Sequence, residues 1–140
     1  MNPIVWDPSL DTGDALVDGQ HRGIVDFANE VAALETDDAV VILGIVDRLM
    51  EHVDTHFAAE EDLMTRGGYP ARAASEHRAA HRVLKDKARA ATLGFRGSWN
   101  STREPFVEFL GTWLLDHIEH EDRRLIEYLH AHGTAGLPPL

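Results

Sequence analysis

The chain has 140 residues, a formal charge of -11, nine histidines and no cysteine. That length suits one domain with a real core, while the negative charge argues against nonspecific binding to nucleic acid or anionic membrane, both of which attract cationic surfaces. Without thiols, disulfides and thiolate metal sites are excluded, so any metal must be held by nitrogen and oxygen. The amino-terminal "MNPIVWDPSL" lacks the basic-then-apolar order of an export signal, and the apolar run "AVVILGIV" at 39 to 46 is far shorter than the roughly 20 residues of a membrane span. A cytoplasmic protein is expected.

Residues 1 to 18 carry Pro3, Pro8 and Gly13 among short apolar pieces, which suits an extended arm packed over the remainder. Segment A, 19 to 34, sets His21, Ile24, Ala28 and Val31 at helical spacing. Segment B, 38 to 65, runs Leu43, Val46, Met50, Val53, Phe57, Glu60 and Met64 in alternating threes and fours, and Asp37 or Asp38 is placed to cap it. Gly67, Gly68 and Pro70 break the chain before segment C, 70 to 92, which aligns Ala73, His77, Ala80, His81, Leu84 and Ala88. The loop "GFRGSWN" leads to segment D, 102 to 131, where Leu114, Ile118, Asp122, Leu125 and Leu129 share a face and Gly133 ends the helix. The tail, 132 to 140, is expected to fray. Four amphipathic segments with short connections predict an all-α fold, an antiparallel up-down-up-down four-helix bundle over about 19 to 131.

The inward stripes carry residues that a core does not ordinarily choose. His56 and Glu60 lie one turn apart on the same face of B, His77 and His81 repeat that spacing in C, and His21 heads the stripe of A. In D, His117 follows Trp113 and Leu114 and adjoins Ile118. A buried carboxylate is costly unless it is paired or bound to metal, and although one inward histidine is ordinary, a contribution from every helix is not. Two carboxylates of D compete for the same role. Glu121 stands four residues after His117, while Asp122 is five residues on and rotated by about 140° on an ideal helix. Spacing favours Glu121; the apolar neighbours Leu115, Ile118, Leu125, Ile126 and Leu129 favour Asp122, and this pattern predicts Asp122 as the inward carboxylate.

"VDGQHR" at 17 to 22, "HFAAEEDLM" at 56 to 64, the pair His77 and His81, and "WLLDHIEHED" at 113 to 122 together resemble the hemerythrins of the bacterial single-domain type. Trp6 and the Thr12-Gly13 pair are similar as well, so the resemblance spans about residue 4 to residue 129, within one domain covering 1 to 140. It implies a diiron centre, two iron ions with an oxo or hydroxo bridge, in which His77, His81 and His117 hold one iron and His21 and His56 the other. Glu60 and Asp122 would bridge the two, in agreement with the choice of Asp122. Imidazole and carboxylate without sulfur suit iron or manganese. Five histidine nitrogens, four carboxylate oxygens and two contacts to one bridging oxygen leave one of the twelve positions of two six-coordinate ions open. The resemblance places O2 there, on the two-histidine iron, beside an apolar pocket of Phe57, Trp113, Leu114 and Ile118 that slows proton delivery.

Reversible O2 binding for storage, delivery or sensing is therefore expected, without enzymatic turnover and without a membrane or nucleic-acid partner. The alternatives are a diiron oxidase or peroxidase, a redox-signalling module acting on a separate protein, and a zinc-filled structural bundle. Ferritin-like diiron enzymes use paired E-x-x-H motifs, and here the single such pattern is Glu127 to His130. His120 reads as solvated, and His130 and His132 as last-turn cations favoured by the helix dipole. His52, one turn before His56, reads as a structural or supporting residue.

Overall fold

In the computed structural model, which describes residues 4–93 and 99–132, every regular element is helical. The protein has the all-α four-helix bundle of the sequence reading: α1 (Ala15–Ala32), α2 (Ala39–Arg66), α3 (Ala71–Leu93), and a fourth rod made of α4 (Trp99–His117), a π-helical turn (Ile118–Asp122) and α5 (Arg123–Ala131). Each rod packs on its neighbours in the chain, and α1 against α4 closes the ring. No described helix is long and apolar enough to cross a membrane.

The helix starts follow from side-chain oxygens that satisfy the free amides of a first turn. Asp14 accepts from the Val17 amide at 3.0 Å, so α1 begins at Ala15 and the arm is shorter than the expected 18 residues. Asp38 caps α2 through the Val40 amide at 2.9 Å. Asp37 has a separate task across the bundle, accepting from the Trp99 amide at 2.8 Å, and α4 starts at Trp99 rather than at residue 102. Trp99 and Asn100, assigned to the loop "GFRGSWN" from sequence, are thus helical; residues 94–98, and the expected stop at Gly133 with the tail beyond it, lie outside the described residues.

The arm is one 3-10 turn, Pro8–Leu10, followed by a tie-down onto α1. Asp18 accepts from the Thr12 amide at 2.8 Å, the Thr12 hydroxyl at 2.7 Å and the Gly13 amide at 3.1 Å. Gly13 sits at φ +94°, a conformation that strains any residue with a side chain. Arg22 pairs with Asp11 at 2.7 Å, and Arg123 donates to the carbonyls of Ser9 and Asp11. The arm therefore runs along α1, from Asn29, which exchanges two hydrogen bonds with the Ile4 backbone, back to the start of that helix, and over the start of α5.

The buried stripe of α2 differs at its first turns from the sequence reading. Ile42 and Leu49 are buried at 1% and 0% exposure, whereas Leu43 is 39% exposed and Met50 is half-buried. The alternation of threes and fours is retained, but it runs through Ile42, Val46, Leu49 and Val53, one register of the same face. In α3 it is Ala74, not Ala73, that is buried. The apolar interior divides in two: a larger cluster including Ile24, Val53, Phe57, Leu84, Leu114 and Ile118, and a smaller one of Val17, Leu63, Met64, Ala74, Leu125, Ile126 and Leu129. On each rod the chain passes from one cluster to the other through histidine or carboxylate: His21 on α1, His56 and Glu60 on α2, His77 and His81 on α3, and His117 and Asp122 on the fourth rod. A polar layer thus crosses the whole bundle.

Candidate metal centre

All seven side chains of this layer are buried, with Glu60 and Asp122 at 0% exposure and the five histidines between 0% and 2%. They fall into two groups of mutually close ligating atoms: Glu60, His77, His81, His117 and Asp122 in one, and His21, His56, Glu60 and Asp122 in the other. Both carboxylates belong to both groups. The division is clearest at Asp122, whose Oδ2 lies 2.7 Å from His21 Nε2 and 3.8 Å from His56 Nε2, while Oδ1 lies 3.0 Å from the Nε2 atoms of His77 and His117. Glu60 sets Oε1 at 2.8 Å from His56 Nε2 and 3.5 Å from His81 Nε2, and Oε2 at 3.6 Å from His77 Nε2. All five imidazoles turn Nε2 inward.

The π-helical turn explains how Asp122 reaches this layer. A turn closed by i→i+5 bonds returns residue i+5, instead of i+4, beneath residue i. Flanked by His117 and Arg123 in ordinary helical dihedrals, the backbone from Ile118 to Asp122 takes this wider turn, which brings Asp122 below His117 and carries Glu121 to the flank. There Glu121 is partly exposed, with Oε2 3.7 Å from His117 Nδ1 on the outer side of the ring.

These residues fit a metal pair on two counts. First, many of the layer's buried atoms, including both oxygens of Glu60 and of Asp122 and the Nε2 atoms of His21, His56 and His77, have no aligned hydrogen-bond partner despite their proximity. Buried polar atoms are normally satisfied, so atoms that approach without donor-acceptor alignment are aimed at something between them. Second, His81 Nε2 and His117 Nε2 lie 3.1 Å apart. Donors at right angles about one ion, each bonded at roughly 2.1 Å, are separated by roughly 3.0 Å. Two carboxylates among imidazoles, sealed from water and free of sulfur, form a hard-to-borderline donor set that calls for cations such as iron or manganese.

Electrostatics in the metal-free chain agree. Burial, reinforced by the nearby charge of Asp122, holds the Glu60 carboxyl well above the usual range. Burial also opposes ionisation of Asp122, but contacts from His117, His21, His56 and His77 outweigh it and hold that carboxyl low. His56 is opposed by burial too, yet the Glu60 charge and its contacts with both carboxylates push it up to about 10. Glu60 and His56 therefore each hold a proton more tightly than usual, and a metal would displace these protons. Burial, with His77 and His117 alongside, pushes His81 down to about 2, leaving its lone pair free to ligate.

Aromatic rings brace the imidazoles. Phe57 stacks on His81 at 3.7 Å with planes 6° apart, and Trp113 stacks on His117 at 4.5 Å and 17°. Two members of the sequence-nominated pocket thus lie against rings of the three-histidine group. Leu114 and Ile118 are buried in the larger apolar cluster beside them. Sequence reasoning gave no role to Gln20, whose Oε1 lies 2.7 Å from His56 Nδ1. Its place inside "VDGQHR", next to His21, was the available signal. His52 is exposed, with its ring 5.0 Å from Phe27, and belongs to neither group. His120 is exposed as expected; His130 is exposed in the last turn of α5, whereas His132 is exposed just beyond it as the C-cap.

A helical bundle crossed by a buried layer of histidine and carboxylate defines a metal-binding four-helix protein. Residues 12–129 match the family model described as Hemerythrin HHE cation binding domain, and the chain belongs to the hemerythrin family. Among curated relatives named bacteriohemerythrin, that of Stenotrophomonas maltophilia (strain R551-3) is 30% identical over 133 residues, covering 94% of this chain and 85% of its own. Those of Pseudomonas aeruginosa (strain LESB58) and Clostridium acetobutylicum are 27% and 25% identical, covering 91% and 88% of this chain and 82% and 98% of their own.

Proposed function

We propose that the chain is a non-enzymatic O2-binding protein with a diiron centre, in which His77, His81 and His117 hold one iron, His21 and His56 hold the other, and Glu60 and Asp122 bridge them. The observation that carries this reading is the sharing of both carboxylates between two groups of buried ligating atoms. A bound pair of irons supplies the two electrons that reversible O2 binding requires.

The protein contributes orientation and dryness. With metal bound, the inward Nε2 atoms of all five imidazoles would leave Nδ1 to carry the proton, so each ring would offer a lone pair to the centre. Stacking by Phe57 and Trp113 holds the His81 and His117 rings against rotation. Apolar clusters on both sides of the layer keep bulk water away, and water exclusion slows proton delivery and irreversible oxidation. A small neutral ligand is favoured in such surroundings over a charged one.

Protein loaded with ferrous iron under nitrogen should bind about two irons per chain, gain charge-transfer absorption bands in air and lose them on deoxygenation. Sustained O2 consumption in the presence of a reductant, well above slow autoxidation, would replace this reading with the oxidase alternative. A chain that stays folded, colourless and metal-free in ferrous solution would remove it.

A further inference from the structure

The five imidazoles are alike on their inner side and differ on their outer one. Nδ1 of His21, His77 and His81 has no hydrogen-bond partner among the described residues, and His117 Nδ1 has a carboxylate only at 3.7 Å. Among the described residues, His56 alone of the five has a hydrogen-bonded outer nitrogen, with Gln20 Oε1 at 2.7 Å. We infer that Gln20 is a positioning residue that locks His56 with its proton on Nδ1 and its Nε2 lone pair toward the two-histidine group, so that α1 governs both histidines of that group. This rests on the diiron reading above.

The chemistry is that of an outer partner to a ligating imidazole. A neutral imidazole has one N–H, and whichever nitrogen carries it cannot ligate. The Gln20 carbonyl oxygen accepts from Nδ1–H, which disfavours the other tautomer and fixes the ring plane. Because Gln20 precedes His21 directly, the same turn of α1 that delivers one ligand to this group orients the other. The two rings meet edge to face, with centroids 4.4 Å apart, so displacement of either disturbs its neighbour. In the metal-bound state an amide also leaves the imidazole neutral, where a carboxylate would draw the Nδ1 proton toward itself and make Nε2 a stronger donor. Gln20 therefore sets both the occupancy and the electron richness of one half of the centre, while His77, His81 and His117 stand apart from it.

The test compares wild type, Gln20→Leu and Gln20→Glu by anaerobic ferrous titration and by spectroelectrochemical potential. Gln20→Leu should weaken the second equivalent of iron about 10- to 100-fold and leave the first within about threefold. Gln20→Glu, which keeps an acceptor, should restore the second equivalent and shift the potential of that iron to a lower value than in wild type. Circular dichroism of the metal-free proteins checks that the helices persist. Two tight equivalents in Gln20→Leu, or a potential in Gln20→Glu equal to that of wild type, would overturn the inference while leaving the diiron reading intact. A wild-type chain that takes up no second equivalent would overturn the diiron reading itself and this inference with it.

Discussion

Stripping the metal should destabilise the fold by an amount that follows from the geometry of the polar layer. Seven buried side chains point ligating atoms at two shared foci, and many of those atoms lack aligned partners. An unsatisfied buried polar group costs about 1–3 kcal/mol. Even discounted for the short contacts such as His21 to Asp122 at 2.7 Å, the total is a large part of the roughly 5–15 kcal/mol that holds a domain folded. A ligand at a hundredfold excess over its Kd stabilises by about 2.7 kcal/mol, so two ions contribute roughly 5 kcal/mol under that condition. At about 3 °C per kcal/mol for a chain of this size, the thermal midpoint should fall by roughly 15 °C on chelation. Differential scanning calorimetry of ferrous-loaded and chelator-treated protein, both under nitrogen, measures the difference directly. Glu60→Ala, which removes a member of both groups, should lose most of the shift. Equal midpoints for loaded and stripped wild type would refute the argument, because a layer that gains nothing from metal is not aimed at one.

Asp122→Asn should reduce iron to about one ion per chain or less, whereas Glu121→Gln should retain about two; the reverse outcome, read by metal analysis, would mean that the π-helical turn does not act as described. In the metal-free protein, His56 is raised from its ordinary 6.5 to about 10, so its stabilising contribution is complete below pH 6.5, declines between 6.5 and about 10, and is gone above. The gap in urea midpoint between wild type and His56→Gln should therefore narrow as pH rises from 6.5 to 10, and a gap independent of pH would contradict the assignment. The same proton must leave when metal binds, so loading should weaken as pH falls.

What could be read from the sequence was whatever depends on helical period. Residues three and four apart share a face in any α-helix, so His56 with Glu60 and His77 with His81 could be paired before any fold was known, and the apolar residues around them identified that face as inward. The same rule located the bundle and the polar layer within it, and it erred where neighbouring apolar residues offered two registers, as with Leu43 against Ile42 and Met50 against Leu49. The period misleads where the helix abandons it. On spacing, Glu121 was the stronger candidate, and only apolar surroundings and the family resemblance favoured Asp122; the wider turn from Ile118 to Asp122 supplies the physical reason.

Tertiary structure alone decided the contacts that join one rod to another. Asp37 capping Trp99, Asp18 gathering the arm and Gln20 holding His56 link residues 62, 6 and 36 positions apart, and none follows from local pattern. The division of the Asp122 oxygens between two sets of histidines belongs to the same class. Local sequence determines which way a side chain leaves its own helix, because backbone geometry repeats every turn. Which atom it meets depends on the axial offset and rotation of four rods against one another, and those are settled by packing summed over the whole interior.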